Sequence, residues 1–204
     1  VVKAGGVQWT TAGRGIIHAE APTKSFVQNG GILEGIQLWL NLPAEKKMME
    51  ANYQHVANDD FRVVSSNDGK VNIQIIAGEL HGVYGRIKTQ TAVNAFMIDV
   101  EDGGCFDIKV PKTHKSTVYL LKGDVLVNAT ESLKLNENQL IEFNKDGEGF
   151  SIKGNAANSK VLLLSGVPIN EPVTTYGPYV MNTQTEIMEA MRDYQMGKMG
   201  FLAP

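Results

Sequence analysis

Cysteine is nearly missing from this chain: Cys105 is the one such residue among 204. That excludes an internal disulfide framework and fits a reducing compartment, with the lone thiol read as semi-buried. Long apolar runs are missing too. No stretch approaches the ~18 residues of a membrane span, and no charged segment followed by an apolar one marks a signal peptide. There is no long basic run either; Lys and Arg number 19 against 22 Asp and Glu, for a net charge of −3. The chain therefore has no electrostatic footprint for direct nucleic-acid binding. Without repeats or low-complexity segments, it reads as a globular protein of cytoplasmic type, with a nuclear site also compatible if the source is eukaryotic. It starts at Val1 rather than Met, and a preceding segment is expected.

What is present reads as β structure, with short apolar runs separated by Gly, Asn and Asp turns. Strands are expected over 7–10 and 16–20. Over 33–41 the alternation sets Ile36, Leu38 and Leu40 on one face and Gln37, Trp39 and Asn41 on the other. Gln37, polar in mid-strand, meets solvent or lines a polar cavity. Residues 43–50 support one or two helical turns whose charges, Lys46 and Lys47 included, form a solvated surface. Runs 61–65 and 71–77 make a hairpin around Asn67-Asp68-Gly69-Lys70, residue types that tolerate positive φ. Beyond Thr91, runs at 92–100, 104–110, 117–121, 124–128, 139–143, 149–152 and 160–164 have the spacing of an antiparallel sandwich or barrel. Thr183 and Glu186 form a capping box for a helix with an Ile187, Met191, Tyr194 stripe that ends at Gly197. Met181, Met188, Met191, Met196 and Met199 make this tail an adaptable docking surface.

The chemistry concentrates in Gly13-Arg14-Gly15-Ile16-Ile17-His18-Ala19-Glu20. On a strand, residues two apart share a face, so His18 and Glu20 would aim an imidazole and a carboxylate into one cavity, half of a metal site. Spacing alone leaves another reading open, in which Glu20 is solvated and His18 caps a neighbouring carbonyl. Imidazole and carboxylate ligands suit Fe(II), Mn(II), Co(II) or Ni(II). Glu79 and His81, in a glycine-rich loop, repeat the pair in miniature with no further ligand nearby.

The segment from Val7 to Glu20 resembles the second metal-binding segment of the pirin family, iron-binding proteins built from two cupin barrels. Leu38-Trp39-Leu40-Asn41-Leu42-Pro43 with Lys46-Lys47-Met48 and Tyr53-Gln54 is similar to the pirin segment that follows. Gly166 to Val173 and Tyr176 to Thr183 resemble the family's C-terminal signature. Gly6 and Thr10 depart from the usual Asp and Met. The resemblance implies an all-β fold of two cupin (double-stranded β-helix, jelly-roll) barrels, the first truncated, plus a C-terminal α-helix. Residues 1–80 would be the remainder of the N-terminal cupin, 81–170 the C-terminal cupin, and 171–204 a connection and helix packing on the barrels. It implies that His18 and Glu20 are two of four ligands to Fe(II), the others being an His-x-His pair on earlier strands that this chain lacks. Gln37 would then lie near the metal as a substrate-pocket residue. Pro111-Lys112-Thr113-His114 keeps the outline of a cupin first motif with His114 alone, so the second barrel is expected to be metal-free.

Two functions follow from that resemblance. One is quercetin 2,3-dioxygenase-type oxidation of a flavonol-like small molecule, with Glu20 both ligand and catalytic base. The other is redox-responsive co-regulation through a protein partner without turnover. With two ligands alone, the chain as it stands would be a metal-free fragment.

Overall fold

The computed structural model describes residues 1–134, 140–144 and 146–202. The chain divides into two compact units, one comprising residues 1–3, 8–54 and 169–204 and the other 4–7 and 55–168.

In chain order the elements begin with β1 (Val7–Thr11), α1 (Lys24–Asn29), α2 (Ala44–Lys47) and β2 (Asn52–Val56), with β1 and β2 forming a two-stranded sheet. A 3-10 turn at Asn58–Asp60 leads to β3 (Arg62–Ser65) and β4 (Val71–Ala77), then the short hairpin β5 (Glu79–Leu80) and β6 (Val83–Tyr84). There follow β7 (Val93–Val100), β8 (Cys105–Lys109), β9 (Lys115–Lys122), β10 (Asp124–Val127) and β11 (Glu131–Lys134). The strand series closes with β12 (Leu140–Glu142), β13 (Gly149–Gly154), β14 (Ser159–Gly166), β15 (Thr174–Tyr176) and β16 (Tyr179–Met181), and α3 (Gln184–Gln195) ends the list.

The larger unit is a two-sheet sandwich. A six-stranded antiparallel sheet runs β12-β9-β14-β7-β4-β3, and a four-stranded one runs β11-β10-β13-β8. Alternation along the strands builds its interior: β9 and β13 bury every second residue, sending Val118, Leu120, Phe150 and Ile152 inward. Central β7 and β14 pair over their whole lengths, so that Phe96 faces Leu163 and Ile98 faces Val161, and these four join one core with Ile73 and Ile75 of β4. Each such side chain contributes roughly 1.5–3 kcal/mol on burial. The hairpin expected at 67–70 forms there, with Gly69 at φ 72° and Val71 entering β4. His81 (φ 51°) and Gly82 (φ 79°) make the two-residue turn of β5–β6, where both central positions need positive φ. The expected 139–143 strand appears as β12; Gln139 lies outside the described residues.

In the smaller unit, α3 opens on the expected capping box: Thr183 Oγ1 accepts the Glu186 N–H, and the Glu186 carboxylate accepts the Thr183 N–H. Ile187 is fully buried, Met191 is half-buried and Tyr194 is exposed, and the helix packs within this unit on the β15–β16 hairpin. Two expectations differ. Residues 16–20 and 33–41 form no strand, and Trp39 (62% exposed) and Leu33 (74%) stand out from the surface. An alternating pattern becomes a strand only where a neighbour takes its N–H and C=O groups, and no described strand pairs with either segment. Between them lies α1, whose Phe26 N–H is accepted by the Thr23 side chain.

Lys47 departs from the solvated surface expected at 43–50. It is 5% exposed, and its Nζ donates to Asn41 Oδ1 at 2.5 Å and to the Val180 carbonyl at 3.4 Å. Burial holds its ammonium below the usual lysine range, an effect that Glu171 and Glu186 oppose. The sequence pattern of one short charged helix gave no sign of this, because what buries Lys47 is chain from beyond residue 170.

Candidate metal centre

Backbone contacts set up the His-x-Glu segment. After β1, Gly13 (φ 53°) turns the chain so closely that a Cβ there would sit 2.2 Å from the Met49 carbonyl oxygen. Arg14 N–H then donates to that carbonyl at 2.9 Å, and Ile17 N–H donates to the Met199 carbonyl at 3.3 Å. Segments distant in sequence therefore hold both sides of the turn, and His18 and Glu20 emerge from it.

Their side chains converge without strand geometry. His18 Nδ1 and Glu20 Oε1 are 4.0 Å apart, with the two side chains 53% and 55% exposed. Glu20 is further placed by Gln8 of β1, whose amide nitrogen donates to Oε1. Gln8 Oε1 in turn accepts from the Tyr53 hydroxyl of β2 at 3.4 Å. This Tyr53–Gln8–Glu20 chain was not foreseen; Gln8 and Tyr53 both fall in quoted motifs, yet nothing in their spacing to Glu20 signals the contact. Gln37 lies exposed in irregular chain and shares no hydrogen bond or ion pair with His18 or Glu20 among the described residues.

An imidazole nitrogen and a carboxylate oxygen are donors of the type that divalent first-row metals take. The two fit such an ion by chemistry and proximity. Only these two donors meet here: among the described residues no group of three or more His, Cys, Asp or Glu side chains gathers.

Two other histidines, His81 and His114, are engaged elsewhere. The His81 ring meets Phe106 edge-on with centroids 5.8 Å apart, and Glu79 accepts the Gly82 N–H of its own turn. His114 is 9% exposed, with Nδ1 3.1 Å from Ser165 Oγ, and burial pushes its imidazole below the ordinary histidine value. Cys105, expected to be semi-buried, is exposed.

Two antiparallel sheets closed over an apolar interior are the architecture of a cupin. Its residues 95–200 match the Pirin C-terminal cupin domain, and residues 1–40 match Pirin. The chain is 36% identical over 201 residues to the Pirin-like protein of Solanum lycopersicum, covering 98% of this chain and 66% of that one. It is 32% identical to Pirin of Homo sapiens, across 97% of this chain and 66% of the human protein. The crystal structure of a quercetin 2,3-dioxygenase from Acinetobacter baumannii superposes with a TM-score of 0.91 at 36% identity, over 99% of this chain and 69% of the other. The chain belongs to the pirin family. It spans about two thirds of the length of these relatives. Among the described residues no helix is long and apolar enough to cross a membrane.

Proposed function

We propose that His18 and Glu20 are this chain's contribution to a divalent transition-metal centre, Fe(II) by family resemblance, serving quercetin 2,3-dioxygenase-type oxidation of a flavonol-like small molecule. The observation that carries this reading is the 4.0 Å convergence of the two side chains, with Glu20 held from behind by Gln8. The likeness to the A. baumannii enzyme supports it. The remaining two donors are an His-x-His pair of the family that is not among the residues of this chain. Fe(II), when bound, supplies redox chemistry toward dioxygen.

The chain's own residues do the rest. His18 offers an imidazole nitrogen. Glu20 has one oxygen steadied by the Gln8 amide, which leaves the other free to accept the acidic hydroxyl proton of a flavonol. Gln8 resists rotation of that carboxylate because its own carbonyl is held by Tyr53.

Iron retained after anaerobic Fe(II) loading and desalting, compared between the chain and His18→Ala, tests the centre. Iron is expected to be lost in the variant, and absence of iron from both would sink the metal reading for this chain. Oxygen uptake with quercetin then tests turnover, with Glu20→Gln expected to keep some metal and lose the reaction. An active glutamine variant refutes the base role. Iron without uptake above that of free iron favours redox-responsive partner binding instead.

A further inference from the structure

The larger unit contains a second chemically equipped cavity that the proposal above does not use. It has a volume of about 300 Å³, at the lower end for small-molecule sites. Its walls include Val127, Ile141, Phe143 and Phe150, and His114 and Ser116 also line it. Phe143 and Phe150 stack with centroids 4.5 Å apart and an interplanar angle of 25°, presenting flat apolar surface.

The polar lining is built rather than incidental. Ser116 is 5% exposed, and its hydroxyl makes no hydrogen bond among the described residues, although its backbone carbonyl accepts the Phe143 N–H at 2.9 Å. His114 is oriented by a chain of contacts whose polarity can be followed from one end. The Glu79 backbone N–H, which can only donate, reaches Asn94 Oδ1 at 3.2 Å. That fixes the Asn94 amide, so Nδ2 donates to Ser165 Oγ at 3.2 Å. Ser165 has thereby accepted one bond, which leaves its own proton available to donate to His114 Nδ1, 3.1 Å away. A neutral imidazole that accepts at Nδ1 carries its proton on Nε2. Ser165 does not line the cavity, which favours the Nε2 edge of the His114 ring as the one that meets it.

Charge narrows the ligand. Of the charged side chains in the lining, Lys112 pairs with Glu148 at 2.8 Å and Glu142 pairs with Lys115 at 3.6 Å. Asp146 has no ion pair among the described residues. Among the described residues that line the cavity, no unpaired cation is left to receive an anion.

We propose that this cavity of the C-terminal cupin binds a small neutral aryl carbonyl compound without a metal. The carbonyl oxygen accepts from His114 Nε2–H, Ser116 provides a second hydrogen bond, and the ring lies against Phe143 and Phe150. This site is independent of His18 and Glu20, so its failure and that of the metal reading are separable.

Benzamide is the probe, titrated into the isotopically labelled full chain and followed by amide and histidine-ring nitrogen NMR, with benzoate as its charged counterpart. The expected result is a proton on Nε2 of His114, saturable shifts at the Ser116, Ile141 and Phe143 amides, and weaker binding of benzoate. Ser116→Ala weakens binding about 3- to 10-fold and His114→Phe by ~10-fold or more, the scale of one neutral hydrogen bond and of a donor lost with its buried acceptor left unpaired. If His114→Phe does not fold, Ser116→Ala and the ring nitrogen shifts decide. Absence of saturable shifts at these amides, wild-type affinity in the variants, a proton on Nδ1, or preference for benzoate overturns the proposal.

Discussion

Replacing Asn94 by alanine tests the buried polar chain where its cost is largest. Asn94 is 7% exposed, and its amide makes two bonds of 3.2 Å, one from the Glu79 N–H and one to Ser165. Alanine removes both and leaves a part-buried donor and a buried hydroxyl each short of a partner. A made bond is worth about 0.5–1.5 kcal/mol net, while an orphaned buried partner costs about 1–3 kcal/mol. Two such groups set the expected loss at about 2–4 kcal/mol, a large share of the roughly 5–15 kcal/mol by which domains are stable. Urea unfolding followed by far-ultraviolet circular dichroism measures it. Tryptophan fluorescence does not report on this unit, because Trp9 and Trp39 both belong to the other. Asn94→Asp sharpens the test. The new carboxylate still accepts the Glu79 N–H but draws the Ser165 proton to itself, so His114 must carry its proton on Nδ1 to keep a bond to Ser165. Nitrogen NMR of the ring reads that exchange of tautomer. A loss under ~1 kcal/mol for the alanine variant, or an unchanged tautomer in the aspartate variant, would refute the reasoning.

Further outcomes follow from α3 and from His114 itself. Thr183→Ala removes the side-chain cap of α3 and should cost about 0.5–2 kcal/mol, read as a lower urea midpoint in the Trp fluorescence of the smaller unit; an unchanged midpoint would show that the cap is dispensable. The Glu186 carboxyl is lowered by its bonds to Thr183 and Asn182, so its contribution is present above the ordinary carboxyl value and fades as pH falls through the lowered one. His114 acts in the same direction by a different cause, burial that disfavours its charged form. Its folded-state pKa lies below the ordinary 6.5, so below that pH the unfolded chain binds the extra proton first and stability falls with falling pH. Urea midpoints of the larger unit should decline from pH ~7.5 to ~5, and less so in His114→Phe; equal declines would assign the effect to other groups.

How much was legible depended on the range over which each feature is decided. The hairpin β3–β4 could be read from Asn67 to Lys70 because turn chemistry is local. The capping box of α3 was equally local, needing only Thr183 and Glu186. Strands β7 to β10 and β12 to β14 fell within a few residues of their expected spans, since a core between two sheets imposes the period of two on each strand separately. The same rule misled at 16–20 and 33–41, where the alternation is present and the hydrogen-bonding neighbour is not among the described strands. At the candidate site His18 and Glu20 were found by residue type and by resemblance, and they do converge. The reason given, a shared strand face, was the wrong one.

The amino-acid order by itself determined that this chain is β-rich and a cupin of the pirin family, because apolar period, turn residues and motif words are properties of neighbours along the chain. It also marked His18 and Glu20 as the pair carrying metal-type donors. Only the tertiary structure decided which groups hold them: Gln8 reaches Glu20, twelve residues on, and Tyr53 reaches Gln8 from forty-five residues away. It likewise decided that Lys47 is buried rather than solvated, and that Asn94, Ser165 and His114 form one oriented chain across three segments. Hydrogen-bond polarity and burial depend on which distant segments fold together, and no local pattern encodes that.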